Sequence, residues 1–483
     1  MTVTTLPIAN GFYQSDSLPI SAQRCIGWYP VVEQAPALSQ ETLRGTPGST
    51  QVDTTGDLNQ ANRGGWTFED VGYFVNGEGL YRLEADETLT LLGVIVGTNR
   101  VVMVDNGTQL FILVPGVPSY GYVFTTGPDT LTPVTDPDFK ANGEPQQVTF
   151  NDGYFVFTTN SKKFIISALN DGLTYSALDV GTAEANPDET VVPIVYRNQL
   201  FIGGSLTLEG FQNIGGSDFP YQRSGLFIDR GVRAPFSVAK LGGRIFFIGS
   251  GKDEGVAIWE LAGNDTTRRS TVAVDSLLNS VSDAELADVF AWKYAEKGEY
   301  FICWALPTTT ICYDLTTERW HERQSQVINA IGVTETVRSR INSLITAYGN
   351  RYVGDSQDGR IGRYESDVYR EYGGEIIRPF TTQPFQNNME SFLVSHLELT
   401  LESGVGNADV PDPHIKLEIS KDGGKTWANG RVRRLGKVGE YQYRAIWRRI
   451  GRAARFDVYR FTLSAAVKPV VIQLTADILP GNS

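Results

Sequence analysis

Between Asp288 and Arg323 the chain states one phrase several times over. Val289-Phe290-Ala291-Trp292-Lys293-Tyr294 is followed by the polar turn Glu296-Lys297-Gly298-Glu299, then by Tyr300-Phe301-Ile302-Cys303-Trp304-Ala305-Leu306. Pro307 and three threonines turn the chain into Ile311-Cys312-Tyr313-Asp314-Leu315, and Thr316-Thr317-Glu318-Arg319 turns it again into Trp320. Short β-branched and aromatic runs separated by tight turns are consecutive antiparallel strands. The middle runs are almost continuously apolar, as strands buried on both faces are. Four such strands make one blade of a β-propeller.

The phrase recurs. Gly72–Leu83 reads strand, Asn76-Gly77 turn, strand, and Val101–Ile112 repeats it around Asn106-Gly107. Val148–Phe157 repeats it around Asp152-Gly153. Asn-Gly and Asp-Gly between alternating apolar runs are the strongest short hairpin signals, because both central residues must take positive φ. Val195–Ile202, Leu241–Ile248 and Tyr348–Val353 with Asp358–Ile361 continue the series. About seven phrases between residues 64 and 365 have a spacing of about 43 residues, the length of a four-stranded blade. The uneven spacing leaves six or seven blades open. One stretch, Val274 to Val289, carries apolar residues at helical spacing, with Ser282 and Glu285 as a capping box, and predicts one short helix. From about residue 371 strict alternation in Leu397–Leu401 and Ile415–Ile419 predicts a separate antiparallel sandwich. Residues 1–60 are polar, proline-bearing and without periodicity, and read as an irregular arm that packs against something else. The expected organisation is therefore an arm (1–60), a propeller (61–370) and a sandwich-like region (371–483).

Composition narrows the function classes. The formal net charge of −13 argues against general nucleic-acid binding, although a pore through which DNA slides remains compatible with it. No apolar run reaches the roughly 18 residues of a bilayer span, and the N-terminus lacks the basic start and apolar core of a secretory signal, so a cytoplasmic origin is expected. Cys25, Cys303 and Cys312 are too few for a disulfide framework. Cys303 and Cys312 are placed to face each other across a hairpin, and the simpler reading makes both small core hydrophobes.

Candidate chemistry is sparse. His321, His396 and His414 lie far apart, none in a metal-ligand spacing or beside an evident nucleophile, and no phosphate loop or dinucleotide fingerprint occurs. No catalytic, cofactor-binding or metal residue is nominated, although 55 acidic residues leave room for paired carboxylates. Ser420-Lys421-Asp422-Gly423-Gly424-Lys425-Thr426-Trp427 matches the Asp-box of sialidase repeats, whose physics is local. Asp422 accepts turn amides, Gly424 takes a positive φ and Trp427 packs beneath. Trp447-Arg448-Arg449-Ile450-Gly451-Arg452 with Arg455, and Arg431, Arg433 and Arg434 upstream, form a basic cluster in an acidic chain. Such arginines, interleaved with aromatics, suit nucleic acid, and the abundance of balancing acids favours carboxylates of a neighbouring subunit or domain instead.

Three islands together resemble the packaged-DNA stabilisation proteins, or tail nozzles, of short-tailed bacteriophages. They are Leu6-Pro7-Ile8 with Tyr29-Pro30-Val31 and Leu43–Gly48; the segment from Val274 to Trp320; and Trp447–Arg452 with Arg455 and Lys468-Pro469-Val470. The resemblance implies a structural virion protein, assembled in the host cytoplasm, with no cofactor and no small-molecule substrate. It implies a homohexameric ring below the portal and a head-to-tail adaptor, extending the DNA channel and helping to retain the packaged genome. Tail needle, spike or fibre proteins attach to such a ring, and double-stranded DNA passes through without sequence-specific binding. On this reading Tyr29, Pro30, Arg44, Pro47, Trp447, Arg448, Arg449, Arg452 and Arg455 are the candidate subunit or adaptor contacts. Acidic lumen walls would let the duplex slide. The alternative is a glycan-binding or glycan-degrading tail propeller, for which the Asp-box is the support.

Overall fold

The computed structural model describes residues 2–55, 60–183, 188–216, 219–386, 390–453 and 456–480. Seven antiparallel sheets follow one another along the chain and close into a seven-bladed propeller. The first strands of the blades are Asn62–Phe68, Val102–Asp105, Pro145–Asn151, Thr190–Tyr196, Ala239–Leu241, Phe290–Glu296 and Ile341–Ala347. In six blades the turn from the first to the second strand contains two successive residues of positive φ: Glu69-Asp70, Asp152-Gly153, Arg197-Asn198, Gly242-Gly243, Lys297-Gly298 and Tyr348-Gly349. That conformation matches the twist of the strands it joins, which is why the blade phrase is so regular. Blade six runs Phe290–Glu296, Glu299–Ala305, Thr310–Asp314 and Arg319–Ile328, and adds a fifth strand, Thr334–Arg338.

The described residues of the expected arm, 2–55 and 60, are not irregular throughout: they supply strands to both domains. Gly48–Thr54 pairs antiparallel with Arg360–Glu365 and supplies the outermost strand of blade seven, so the propeller closes with a strand from the N-terminal side of blade one. Thr2–Leu6 pairs with Leu474–Ile478, and Glu41–Gly45 pairs with both Trp28–Val32 and the strand Val470–Pro480. Apart from Trp28–Val32, which pairs with the nearby Glu41–Gly45, these strands have partners hundreds of residues away, and each is short.

The C-terminal region is a sandwich. One sheet is ordered Trp28–Val32, Glu41–Gly45, Val470–Pro480, Phe392–Leu401 and Ala445–Ala453, with Thr2–Leu6 added on Val470–Pro480. The other runs Arg378–Thr381, Val458–Leu463, His414–Ser420 and Arg431–Arg434. Their shared core contains Trp28, Phe380, Leu397, Leu417, Trp447, Tyr459, Phe461 and Leu474. The helical stretch is two helices, Val272–Asn279 and Asp283–Ala287, and the Ser282–Glu285 capping box starts the second. Cys303 and Cys312 oppose each other across the second and third strands of blade six, fully buried and with their sulfurs in contact. They form a cross-strand pair instead of two independent core hydrophobes.

Trp28 joins the N-terminal strands to the sandwich: it is fully buried, its ring stands edge-on to Phe380 at 5.9 Å, and its Nε1 donates to the Arg378 carbonyl at 2.9 Å. Trp28→Ala is expected to cost about 3–5 kcal/mol, read as a lower urea midpoint in equilibrium unfolding.

Candidate interaction surface

The N-terminal candidates lie on a seam inside the chain. Tyr29 is buried against blade six, 5.0 Å edge-on to Phe301, and burial pushes its hydroxyl well above the usual tyrosine range. Pro30 and Pro47 are buried. Arg44 is half-buried and paired with Glu33 at 3.0 Å. Beside them Arg24 holds the buried Glu322 of blade six through two hydrogen bonds of 2.9 and 2.6 Å. Tyr29, Pro30 and Pro47 are therefore corrected from external contacts to internal ones, because the apolar area they would offer is already covered.

Trp447 is corrected likewise. It is fully buried in the sandwich, 5.4 Å from Phe461, and its Nε1 donates to the Arg431 carbonyl at 2.8 Å. Its neighbours do face outward. Regular alternation would bury one of Arg448 and Arg449, yet both are exposed. The cause is a β-bulge: the register passes from Val394↔Gly451 to His396↔Arg448, three residues against two, with Arg449 at φ 55° and Gly451 at φ 104°. An arginine in the left-handed region is strained, and here the strain presents two guanidinium groups side by side.

Arg431 and Arg433 come from the edge strand of the other sheet. They donate to main-chain carbonyls at the bulge, Arg431 Nη1 to Arg449 O at 3.2 Å and Arg433 Nε to Ile446 O at 2.9 Å. Arg452 Nη2 donates to Ser391 Oγ at 2.6 Å. Among the described residues none of these five arginines is salt-bridged to a carboxylate, whereas Arg434 pairs with Asp412 and Glu440, Arg444 with Glu398, and Arg460 with Glu418. Arg455 lies outside the described residues.

The Asp-box turn is held by its own side chains. Asp422 Oδ1 accepts from the amides of Lys425 and Thr426 at 3.0 and 2.9 Å, and Oδ2 accepts from Thr426 Oγ1 at 2.6 Å. These bonds hold the Asp422 carboxyl well below the usual range. Ser420 Oγ accepts from the Gly424 amide at 2.8 Å, and Gly424 takes φ 99°. Trp427 packs half-buried under the Arg460 guanidinium, 4.1 Å from its ring centre.

Two buried polar groups are illegible in the sequence. In blade six Glu299 and Asp314 are both buried; burial, then the neighbouring Asp314, pushes the Glu299 carboxyl up to about 7. Burial raises the Asp314 carboxyl as well. Asp314 is anchored in the turn that follows its strand, accepting from the Thr316 amide and Thr317 Oγ1, and Glu299 opens the neighbouring strand. The second is Arg323, which donates to the Tyr294 and Tyr364 hydroxyls and faces the Trp292, Tyr294 and Phe301 rings at 5.1–5.6 Å. Next to it His321 is fully buried, and burial followed by the Arg323 charge keeps its imidazole well below the usual range, hence neutral. No group of three or more His, Cys, Asp or Glu among the described residues is arranged to hold a metal ion.

The first strands of all seven blades enclose an axial cavity of about 670 Å³. Arg100 reaches across it, its Cζ 3.4 Å from the Phe290 ring centre and its Nη2 donating to Asn342 O at 2.6 Å. Lys240 and Lys293 also line the cavity, and no carboxylate does among the described residues.

Two family models match the chain: bacteriophage P22 Gp10, β-propeller, over residues 4–369, and bacteriophage P22 Gp10, β-sandwich, over residues 377–478. The chain belongs to the bacteriophage P22 Gp10 family. It is thus a phage structural protein of the packaged-DNA stabilisation class and a virion component. The match runs through residues 100–230, between the islands of resemblance. No curated protein matches. Among solved structures, the WD40 β-propeller domain of Doa1 is similar at 13% identity, TM-score 0.39, over 66% of this chain and 97% of that one. The designed protein Ika8 is similar at 10% identity, TM-score 0.40, over 65% and 99%. The extracellular domain of a two-component-system protein of B. thetaiotaomicron is similar at 8% identity, TM-score 0.42, over 67% of this chain and 40% of that one.

Because the folded Glu299 carboxyl titrates above the ordinary range near 4.5, the stability it contributes is complete below that range and is lost as pH rises through about 7. Unfolding free energy is expected to fall by about 1–3 kcal/mol across that window, and Glu299→Gln to flatten the fall, as measured by urea unfolding at successive pH values.

Proposed function

We propose that this chain is one subunit of a tail nozzle. Six copies form a ring below the portal and its adaptor, extend the DNA channel, help retain the packaged genome and carry the tail needle or fibres. The family supports a structural phage protein, and the observation that carries the rest is the size of the propeller's own cavity. About 670 Å³ suits a small ligand, and Arg100 bars it, whereas the major groove of a duplex is by itself about 12 Å wide. A DNA channel must then be enclosed between copies. A heterologous contact repeated around an axis closes into such a ring.

The same cavity weighs against the glycan-degrading alternative, since glycoside hydrolysis needs two carboxyl groups flanking the bond and its described lining carries none. The buried Glu299–Asp314 pair belongs to two neighbouring strands of blade six and not to this cavity. The proposed nozzle is a structural part of the tail.

Cryo-electron microscopy of intact tails is expected to show a six-fold ring of this chain around a duplex-wide channel, and particles lacking it to lose their genome after packaging. A peripheral trimer, or single copies at the tail's edge, would overturn the nozzle.

A further inference from the structure

The charge of this chain is divided between its two ends. Residues 377–478, the sandwich, contain 15 Lys and Arg against 10 Asp and Glu. Residues 102–228, which build blades two to four, contain 13 Asp and Glu against 5 Lys and Arg. The sandwich and its N-terminal strands are joined to blades six and seven through Tyr29 on Phe301, Arg24 on Glu322 and Gly48–Thr54 on Arg360–Glu365. In a closed ring of seven blades, blade three lies across the axis from the boundary between six and seven. The molecule thus has a basic end and, diametrically opposite, an acidic end.

At the basic end the guanidinium groups of Arg431 and Arg433 donate to main-chain carbonyls and that of Arg452 to a hydroxyl, Arg448 and Arg449 are exposed, and among the described residues none of the five is salt-bridged to a carboxylate. Two of them are displayed by a strained bulge. Neutral partners leave the charge of Arg431, Arg433 and Arg452 without a salt bridge, and a planar, multi-donor cation so placed seeks carboxylates.

We infer that this strip docks on a second copy of the chain, at the acidic rim of blades two to four, so that copies join sandwich to far blade. The contact is heterologous: one copy's basic end meets the next copy's acidic end, leaving a free end of each sign until the ring closes. Complementary charge of this kind speeds encounter, fixes the order of contact and repels like ends. It also screens with salt. The inference rests on the ring proposed above and names the surfaces that make it.

The experiment uses the full-length chain, purified in light and isotopically heavy forms, mixed and treated with a carbodiimide, which joins an amine to a carboxylate at zero length. A chain carrying Arg449→Lys and Arg452→Lys keeps the strip's charge and introduces the amines. Heavy-to-light links from the introduced amines to carboxylates of residues 102–228 are expected. In mass photometry, Arg448→Glu with Arg449→Glu and Arg452→Glu should weaken self-association at least tenfold, as should raising the salt from 50 to 500 mM. These arginines are exposed, and unchanged circular dichroism of the triple variant would exclude a folding defect.

Heavy-to-light links that fall elsewhere while tails still show the ring overturn the inference and leave the nozzle standing. A chain that stays monomeric at low salt also overturns the charge-driven contact, while the ring is judged separately from the tails. If the triple variant associates normally but loses binding to a 30-bp duplex in fluorescence anisotropy, the strip takes DNA phosphates and the inference fails.

Discussion

The pairing of Gly48–Thr54 with Arg360–Glu365 is the contact on which the rest of the architecture depends. A propeller is a ring of sheets, and a ring must be closed somewhere. Here the last blade has three strands of its own and takes the fourth from ahead of the first. Ladder hydrogen bonds therefore join the ends of the ring, and opening it breaks a paired edge. The same N-terminal segment then supplies Trp28–Val32, Glu41–Gly45 and Thr2–Leu6 to the sandwich. One stretch of about fifty residues thus closes the propeller and ties it to the second domain.

That arrangement explains why buried polar groups collect at the seam. The N-terminal strands cross blade six with Tyr29 against Phe301, while Arg24 neutralises Glu322. Deeper in, Arg323 is held by tyrosine hydroxyls and ring faces without a carboxylate. A buried cation partnered in this way gains from the aromatic quadrupoles and from charge-assisted hydrogen bonds, and its geometry is demanding. Such groups specify how one element seats on another more sharply than apolar contact does. The arginines around the bulge are the reverse case: carbonyls orient Arg431 and Arg433, Arg448 and Arg449 are exposed, and their charge remains for the outside. A structural ring needs both kinds, internal polar locks for a rigid subunit and external ones for order between subunits.

Much of the propeller was legible because the signal is local. Asp152-Gly153 and Lys297-Gly298 form two-residue turns with glycine at the second position, where positive φ costs nothing, and the apolar runs beside them are strands buried on both faces. Blade six reads strand by strand from its sequence. Glu69-Asp70 makes the same turn with two residues that take positive φ less readily, so its hairpin is silent in the sequence. The helical stretch splits at Ser282 for a local reason as well, since the capping box ends one helix's register and begins another's. In the Asp-box, likewise, the bonds run between residues a few positions apart.

By itself, then, the sequence determined the blades, the alternating strands of the sandwich, the Asp-box turn and the presence of a basic cluster in an acidic chain, because each is set by residues within a few positions of one another. Only the tertiary structure decided that residues 2–54 supply six strands, that Trp447 is buried while Arg448 and Arg449 are both exposed, and that Glu299 is buried beside Asp314 with its carboxyl pushed up. Those outcomes depend on partners far along the chain, on a one-residue bulge in register and on burial. None of these has a local signature, since long-range pairing is settled only when the whole core forms.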